Sequence, residues 1–127
     1  MNKTIVALAL VSSYAFAQIN WAPSYEAALV KAAKEKKNVM VMFSREECPA
    51  CEYMEEIVFE EQAVEQMINK NFVPVHLDIH KDFLPEGLGY IGTPTFHFVN
   101  AKGLKLKRHD GGANIPTFMG ILNSVKK

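Results

Sequence analysis

The sequence has no apolar run long enough to cross a membrane. The longest run near the N-terminus, residues 5–11, has seven residues and is followed by Ser12 and Ser13. A spanning helix needs about 20 apolar residues to cross a hydrocarbon layer of about 30 Å, and no later segment approaches that length. A membrane anchor is therefore excluded as the explanation of the N-terminal segment.

The sequence also lacks an excess of charge of either sign. There are 14 Lys and Arg residues and 14 Asp and Glu residues, so nothing favours a nucleic acid or a membrane surface as the partner. Internal repeats, low-complexity tracts and linkers are absent as well. These absences favour a single domain with one core.

The N-terminal segment predicts export. Lys3 precedes the apolar run, and Ala15-Phe16-Ala17 has the small-x-small pattern after which signal peptidase cuts. We expect residues 1–17 to be a signal peptide and residues 18–127 to be the mature, soluble, periplasmic chain of 110 residues (127 less 17). Because the new N-terminus is Gln18 rather than a cysteine, a lipid anchor is not expected.

Cysteine is scarce, since the stretch "SREECPACEYMEE" holds the only two residues, Cys48 and Cys51. In an exported chain such a pair meets oxidising conditions. A bridge across so short a loop removes little entropy from the unfolded chain and therefore stabilises little. The spacing suits thiol–disulfide exchange instead, because the second thiol can attack a mixed disulfide formed at the first.

Hydrophobic spacing in the first half predicts helix, strand and helix in that order. Ser24 can cap a helix with an apolar stripe, and "NVMVMF" follows as a strand covered on both faces. The cysteines come next, at the start of an acidic helical segment in which Met54, Ile57 and Val58 have helical spacing. A second helical stretch precedes the next strand.

The second half predicts three strands and a closing helix. "FVPVHLDI" alternates like a strand, and Pro74 indicates an edge position because it cannot donate to a ladder. "TFHFV" and "LKLKR" predict a β-hairpin whose connection ends at Gly103. A helix follows Pro116, which completes a small α/β sandwich.

This order, with C-x-x-C opening a helix and "GTPT" before the hairpin, resembles the thioredoxin fold over nearly all of residues 18–127. The stretch from Trp21 to Ile79 looks like exported proteins related to the C-terminal domain of the electron-transfer protein DsbD. The resemblance implies a mixed sheet of about four strands flanked by helices. The segment between Asp78 and Gly92 is too short and too rich in Pro and Gly for the third thioredoxin helix, so we expect a loop or one short turn.

The helix start explains why one cysteine is assigned as the nucleophile. A cysteine there faces unpaired backbone N–H groups and the positive end of the helix dipole, which favour the thiolate. Cys48 is therefore the expected nucleophile, and Cys51, expected to be more buried, is the resolving thiol. Pro49 suits the first helical position and Ala50 adds no charge, and both are candidate substrate-binding residues.

By resemblance, Thr93 and Pro94 form a loop with a cis-proline that faces the cysteines. A cis Pro94 would present the backbone of Thr93 to an extended substrate segment by strand addition. The alternative is an ordinary loop proline before a strand.

Two positions depart from the thioredoxin pattern. Met42 stands where thioredoxins usually carry a buried carboxylate that helps to move the proton of the second cysteine, and Glu47 stands where they usually carry tryptophan. Glu55, one turn beyond the second cysteine, matches an acidic residue of the DsbD-like domain and could accept this proton. Alternatively, Glu55 belongs to a solvated acidic face with Glu52 and Glu56.

A metal-binding protein is the alternative to a redox protein. Cys48, Cys51, His76 and His80 have the order C-x2-C and H-x3-H, but the gap of 24 residues exceeds the usual spacing of zinc fingers. No metal site is expected. The expected positions are polar strand faces for His76 and His97 and loops for His80 and His109.

The resemblance implies a thiol-disulfide oxidoreductase that acts on disulfide-containing proteins without a cofactor. The motif C-P-A-C lacks the histidine that stabilises the thiolate in strongly oxidising relatives, which favours a reductase or an electron relay. The expected electron source is a membrane donor of the DsbD type. The alternative is a disulfide isomerase or oxidase, because Thr93 also precedes the proline in isomerase-like relatives. Two intact cysteines argue against a binding module without chemistry.

Overall fold

The computed structural model describes residues 18–127. Its helices and strands follow the predicted order: α1 (Tyr25–Glu35), β1 (Asn38–Ser44), α2 (Pro49–Tyr53), a π-helical turn (Met54–Val58), α3 (Gln62–Asn71), β2 (Phe72–Asp78), β3 (Thr95–Val99), β4 (Lys105–Asp110) and α4 (Ile115–Val125). The predicted signal peptide, residues 1–17, lies outside the described residues and stays a prediction.

The four strands form one mixed sheet in the order β2-β1-β3-β4. Strand β1 is parallel to β2 and antiparallel to β3, and β3 and β4 form the predicted antiparallel hairpin. Pro74 lies in β2, at one edge of the sheet, as predicted. The expected α/β sandwich is confirmed.

Strand β1 is buried along its whole length because both of its faces are covered. Met40 and Met42 point into a cluster that includes residues of α2, α3 and α4. Val39, Val41 and Phe43 point into a second cluster, against α1. The unbroken apolar run of this strand thus reflects two cores, one on each side of the sheet.

Helix α1 begins where the sequence predicts. The Ser24 side chain accepts a hydrogen bond from the backbone N–H of Ala27 at 3.0 Å, which satisfies one of the first-turn donors. Ala28 and Ala32 are fully buried against the sheet. The small side chains let the helix lie close to the strands.

The helix that carries the cysteines changes its pitch at Met54. The N–H of Phe59 bonds to the carbonyl of Met54 at 2.8 Å, a five-residue step that belongs to the π-helical turn. Met54 and Val58 are buried, but Ile57 is 52% exposed. The predicted helical segment is therefore present, and its apolar residues divide between the core (Met54 and Val58) and the surface (Ile57).

A loop replaces the third thioredoxin helix, as expected, and it covers one end of the sheet. Leu88 of this loop is buried among the residues on the α1 side. His97 of β3 lies beneath the loop, 3% exposed, with Nε2 2.7 Å from the carbonyl oxygen of Gly89. The prediction of a polar-face position for His97 was wrong, because the loop rather than solvent meets that side of the strand.

The other two histidines with predicted loop positions are His109 and His80. His109 lies in β4 and not in a loop, because the hairpin extends two residues beyond the predicted "LKLKR". His80 lies in the turn after β2, as expected.

Within residues 18–127, every helix is too short or too polar to cross a membrane.

Candidate active site

A disulfide joins Cys48 and Cys51 at the junction between β1 and α2. Cys48 is the N-cap of α2 and has an extended backbone, with φ −116°, and Pro49 follows in the first helical turn. The junction follows directly on β1, which is buried along its whole length. Proline suits a helix start because it has no N–H to leave unpaired. The predicted placement of the pair at a helix N-terminus is confirmed.

Two hydrogen bonds converge on the sulfur of Cys48. The backbone N–H of Cys51 donates to it at 3.2 Å, and the hydroxyl of Thr93 donates to it at 3.3 Å. Among residues 18–127, no donor makes a corresponding bond to the sulfur of Cys51. The two sulfur atoms of the disulfide are therefore in electrostatically different surroundings.

Burial does not separate the two cysteines. Each is 2% exposed, so the expectation that Cys51 is the more buried was wrong. Both cysteines belong to the same buried cluster, and Thr93 also contacts the sulfur of Cys48. The difference between the two sulfur atoms is one of hydrogen bonding.

The Thr93–Pro94 peptide bond is cis. Pro94 is buried, and the carbonyl oxygen of Thr93 lies 3.6 Å from the Cys48 sulfur. The N–H of Gly111 donates to the carbonyl of Pro94 at 2.8 Å, which links the proline loop to the residue that follows β4. Residues 91–94 line a shallow groove with Asp110 and Gly111.

The turn before Cys48 is held by an arginine. Glu47 has a left-handed backbone with φ 54°, a conformation that side chains other than glycine rarely adopt. Arg45 donates from Nη1 to the carbonyl oxygens of Glu46 and Glu47, at 3.1 and 2.7 Å. These bonds support a strained turn and fix the direction from which the chain enters the helix.

The surroundings of the disulfide on the core side are apolar. Met42 is fully buried in the cluster that contains both cysteines and Met54. A methionine thioether offers no site for a proton at neutral pH, so the position that is usually acidic is not available as a proton acceptor.

Glu55 differs from the acidic residues around it. Glu52 and Glu56 are exposed, whereas the Glu55 side chain is 40% exposed and its Oε1 lies 3.5 Å from Nε2 of His76. Cys51, Glu55 and His76 line one open cleft. Glu55 therefore lies at the edge of the acidic face, partly open to solvent and near His76.

His76, Ser44 and Trp21 are site residues that sequence reasoning missed. The Ser44 hydroxyl contacts Nε2 of His76, and the Trp21 ring lies 5.3 Å from the His76 ring. The alternation of Val73, Val75 and Leu77 predicts that His76 lies on the opposite face of β2. Its position near the cysteines follows from the pairing of β2 with β1.

No group of three or more His, Cys, Asp or Glu side chains within residues 18–127 is arranged to hold a metal ion. His76 and His80 do not join the two cysteines in one cluster. The four residues of the C-x2-C and H-x3-H pattern are therefore not brought together as a ligand set.

A comparison with protein families agrees with this geometry. A family model described as a thioredoxin-like domain matches residues 25–126. The chain belongs to the thioredoxin-like family. The thioredoxin-like match covers all four strands and all four helices, so the fold and the resemblance inferred from the sequence are confirmed.

Similar proteins are known from several sources. A thioredoxin from Thermus thermophilus is 28% identical, with a TM-score of 0.70 over 85% of this chain and 87% of that one. The reduced DsbD C-terminal domain of Neisseria meningitidis is 22% identical, with a TM-score of 0.61 over 80% and 93%. An uncharacterised protein of Archaeoglobus fulgidus is 29% identical over 68% of this thioredoxin-like chain and 71% of its own.

Proposed function

We propose that this protein is an exported thiol-disulfide oxidoreductase that reduces protein disulfides, or relays electrons to them, through Cys48 and Cys51. The observation that carries the proposal is the unequal environment of the two sulfur atoms. The Cys51 N–H and the Thr93 hydroxyl both donate to the sulfur of Cys48. A redox pair needs such an asymmetry, because one thiol must attack first and the other must follow.

The first step is the attack of the Cys48 thiolate on a substrate disulfide. A bond forms between the Cys48 sulfur and one substrate sulfur, the substrate S–S bond breaks, and the second substrate sulfur leaves as a thiolate that takes up a proton. The two donors at Cys48 favour the thiolate before the attack, since hydrogen bonds to a charged form stabilise it.

The second step resolves the mixed disulfide. Cys51 loses its proton and attacks the Cys48 sulfur, the bond to the substrate breaks, and the remaining substrate sulfur leaves and is protonated. The product is the Cys48–Cys51 disulfide, and two electrons have passed to the substrate. Glu55 is the acidic group that we assign to the path of the Cys51 proton, which Met42 cannot accept.

The substrate would lie as an extended segment along the proline loop. Thr93 offers its backbone beside Cys48, and Pro49 and Ala50 are exposed next to the disulfide. Ile91 is 89% exposed at the start of the same loop. These apolar side chains suit an extended protein segment, and Asp110 is the charged residue of the same groove.

We propose that a membrane electron donor of the DsbD type is the partner that supplies electrons to Cys48 and Cys51. The exported space has no thiol pool of its own, and the C-P-A-C motif lacks the histidine of strongly oxidising relatives. An isomerase or oxidase is the alternative, and the threonine before Pro94 is the feature that favours isomerisation.

Reduction of a protein disulfide by the pre-reduced chain tests this function. We expect stoichiometric transfer of two electrons per molecule, and a midpoint potential nearer about −270 mV than about −120 mV. A metal chelator should leave the rate unchanged. Tight zinc binding that blocks exchange would instead support the metal-binding rival, and a potential near the upper value would support an oxidase.

A further inference from the structure

Among residues 18–127, the core around Cys51 offers no acceptor for its proton. Met42 and Met54 are fully buried in the same cluster, and an apolar surrounding disfavours the charged thiolate. Under the proposed function, Cys51 must nevertheless become a thiolate each time a mixed disulfide is resolved. The proton must therefore leave by the side of Cys51 that does not face the core.

That side opens into a polar cleft of about 410 Å³. A water molecule occupies about 30 Å³ in the liquid, so the cleft has room for several. Cys51 lies at its inner wall, and Ser44, Glu55, His76 and Asp78 line it from β1, the helix and β2. The other charged groups along the cleft are Arg45, Glu46, Glu47, Glu52 and Asp82.

The parallel register of the sheet brings His76 to this place. His76 of β2 is the partner of Met42 in β1, so the two side chains emerge on the same face of the sheet, toward the cysteines. The imidazole therefore stands beside the methionine that replaces the usual acid. Trp21 covers the ring from the other side, with 5.3 Å between ring centroids.

The contacts of His76 suit a ring that gains and loses a proton. Nε2 contacts the Ser44 hydroxyl and lies 3.5 Å from the Glu55 carboxylate. Ser44 can donate or accept, and neutral imidazole keeps a lone pair on one nitrogen in either tautomer. The carboxylate stabilises the ring once it is charged. His76 is one-third exposed and Glu55 is 40% exposed, so both are open to water in the cleft.

We propose that His76 receives the proton of Cys51 through water in this cleft, and that Glu55 stabilises the resulting imidazolium. This rests on the proposed function. The step is balanced: the Cys51 S–H proton moves to His76, the thiolate attacks the Cys48 sulfur, and the substrate leaves as a thiolate. Histidine is the side chain that most often transfers protons in active sites, and its neutral ring keeps a lone pair that can accept one.

Single-turnover kinetics with a peptide disulfide that carries a different fluorophore on each half separates the two steps. Appearance of the first half in solution reports the attack by Cys48, and appearance of the second reports resolution by Cys51. In His76→Gln we expect the attack to be unchanged and resolution to be slowed at least about tenfold near pH 7. The lost rate should return as rising pH ionises Cys51 directly.

Three further variants sharpen the assignment. Glu55→Gln should slow resolution by a smaller factor than His76→Gln, because it acts through the ring. His80→Gln, a histidine in the adjacent turn outside the cleft, is the matched control and should behave as wild type. Met42→Asp in the His76→Gln background should recover part of the rate, because it returns an acid beside the missing ring.

The outcomes distinguish a failure of the role proposed for His76 from a failure of the proposed oxidoreductase function. Wild-type protein that fails to release the first half contradicts the proposed function. A normal first step with an unchanged rate and pH profile of resolution in His76→Gln overturns the role of His76 alone. A Glu55→Gln effect equal to or larger than that of His76→Gln also overturns it, in favour of Glu55 as the direct acceptor. His76→Asn provides the same comparison if the Gln variant is poorly folded.

Discussion

The hydroxyl of Thr93 donates a hydrogen bond to the sulfur of Cys48, 3.3 Å away and 45 residues distant in sequence. The bond ties the proline loop to the first residue of the cysteine motif. It distinguishes the two sulfur atoms even though both cysteines are equally buried. The order of attack that we propose follows from this contact and from the N–H of Cys51.

Substitution of Cys51 should trap substrates on the protein. In Cys51→Ala the first attack proceeds but the mixed disulfide cannot be resolved, so non-reducing gels of exported protein should show covalent adducts that vanish on reduction. Cys48→Ala is the matched control and should give few adducts. Equal trapping by the two variants would contradict the assignment of Cys48 as the nucleophile.

Export predicts a defined new N-terminus. Intact-mass analysis of protein recovered from the exported fraction should find a chain that begins at or near Gln18, because Ala15-Phe16-Ala17 has the pattern after which signal peptidase cuts. Ala17→Arg should block cleavage at this position. Recovery of a mature chain that still contains residues 1–17 would disprove the prediction.

Stability should fall as the pH falls through the range in which a free histidine titrates. Burial lowers the pKa of His97 below its ordinary value of 6.5, and the bond to the Gly89 carbonyl only partly opposes this. The unfolded chain therefore binds a proton before the folded protein does, so stability is full above pH 6.5 and decreases below it.

Urea unfolding between about pH 7.5 and about pH 5.5 measures this effect. His97→Asn should lower stability at the upper end but flatten its dependence on pH. The exposed His80 provides the control, since His80→Asn should keep the wild-type slope. The same slope in His97→Asn as in wild type would show that other groups cause the dependence.

Asn69 should stabilise the segment that precedes α1. Its Nδ2 donates to the Gln18 carbonyl at 2.7 Å and to Glu65 Oε1 at 2.9 Å, and its Oδ1 accepts from the Asn20 N–H at 2.9 Å. Glu65 is only 6% exposed, and its Oε2 has no hydrogen-bond partner among the described residues. Asn69→Ala would leave this carboxylate without any hydrogen bond.

We expect Asn69→Ala to lower the free energy of unfolding by about 1 to 3 kcal/mol, the usual range for an unsatisfied buried polar group. Asn123→Ala is the control. Asn123 likewise donates from Nδ2 to the residue four positions earlier, here to the backbone carbonyl of Met119 at 3.0 Å, but it is exposed. A loss no larger than that of the control, measured by urea denaturation, would contradict the stabilising role of Asn69.

Periodicity predicted the order of elements because each element buries an apolar set with its own spacing. The run Val39 to Phe43 could be assigned to a strand with two covered faces, and Ser24 to a helix cap, from local chemistry alone. Gly103 in the hairpin connection has the positive φ, 80°, that its position suggests. These features depend on residues that are neighbours in the sequence.

The error at His97 came from a contact between separate segments. His97 is buried because the loop that contains Gly89 lies over it. This contact is not visible in the spacing of nearby residues. The role of His76 depends on the parallel register between β1 and β2, which pairs it with Met42 and which no single strand specifies.

Trp21 lies outside the residues that the thioredoxin-like family model matches, since that match begins at residue 25. Its ring packs between His76 and Phe59, and the neighbouring Ala22 N–H donates to the Pro74 carbonyl at 2.8 Å. A chain cut at residue 25 would retain both cysteines and every strand and helix that the structure describes in residues 18–127, yet expose one side of the imidazole to bulk water. Under the role that we propose for His76, activity measured on the shorter piece would therefore report an altered proton-transfer site.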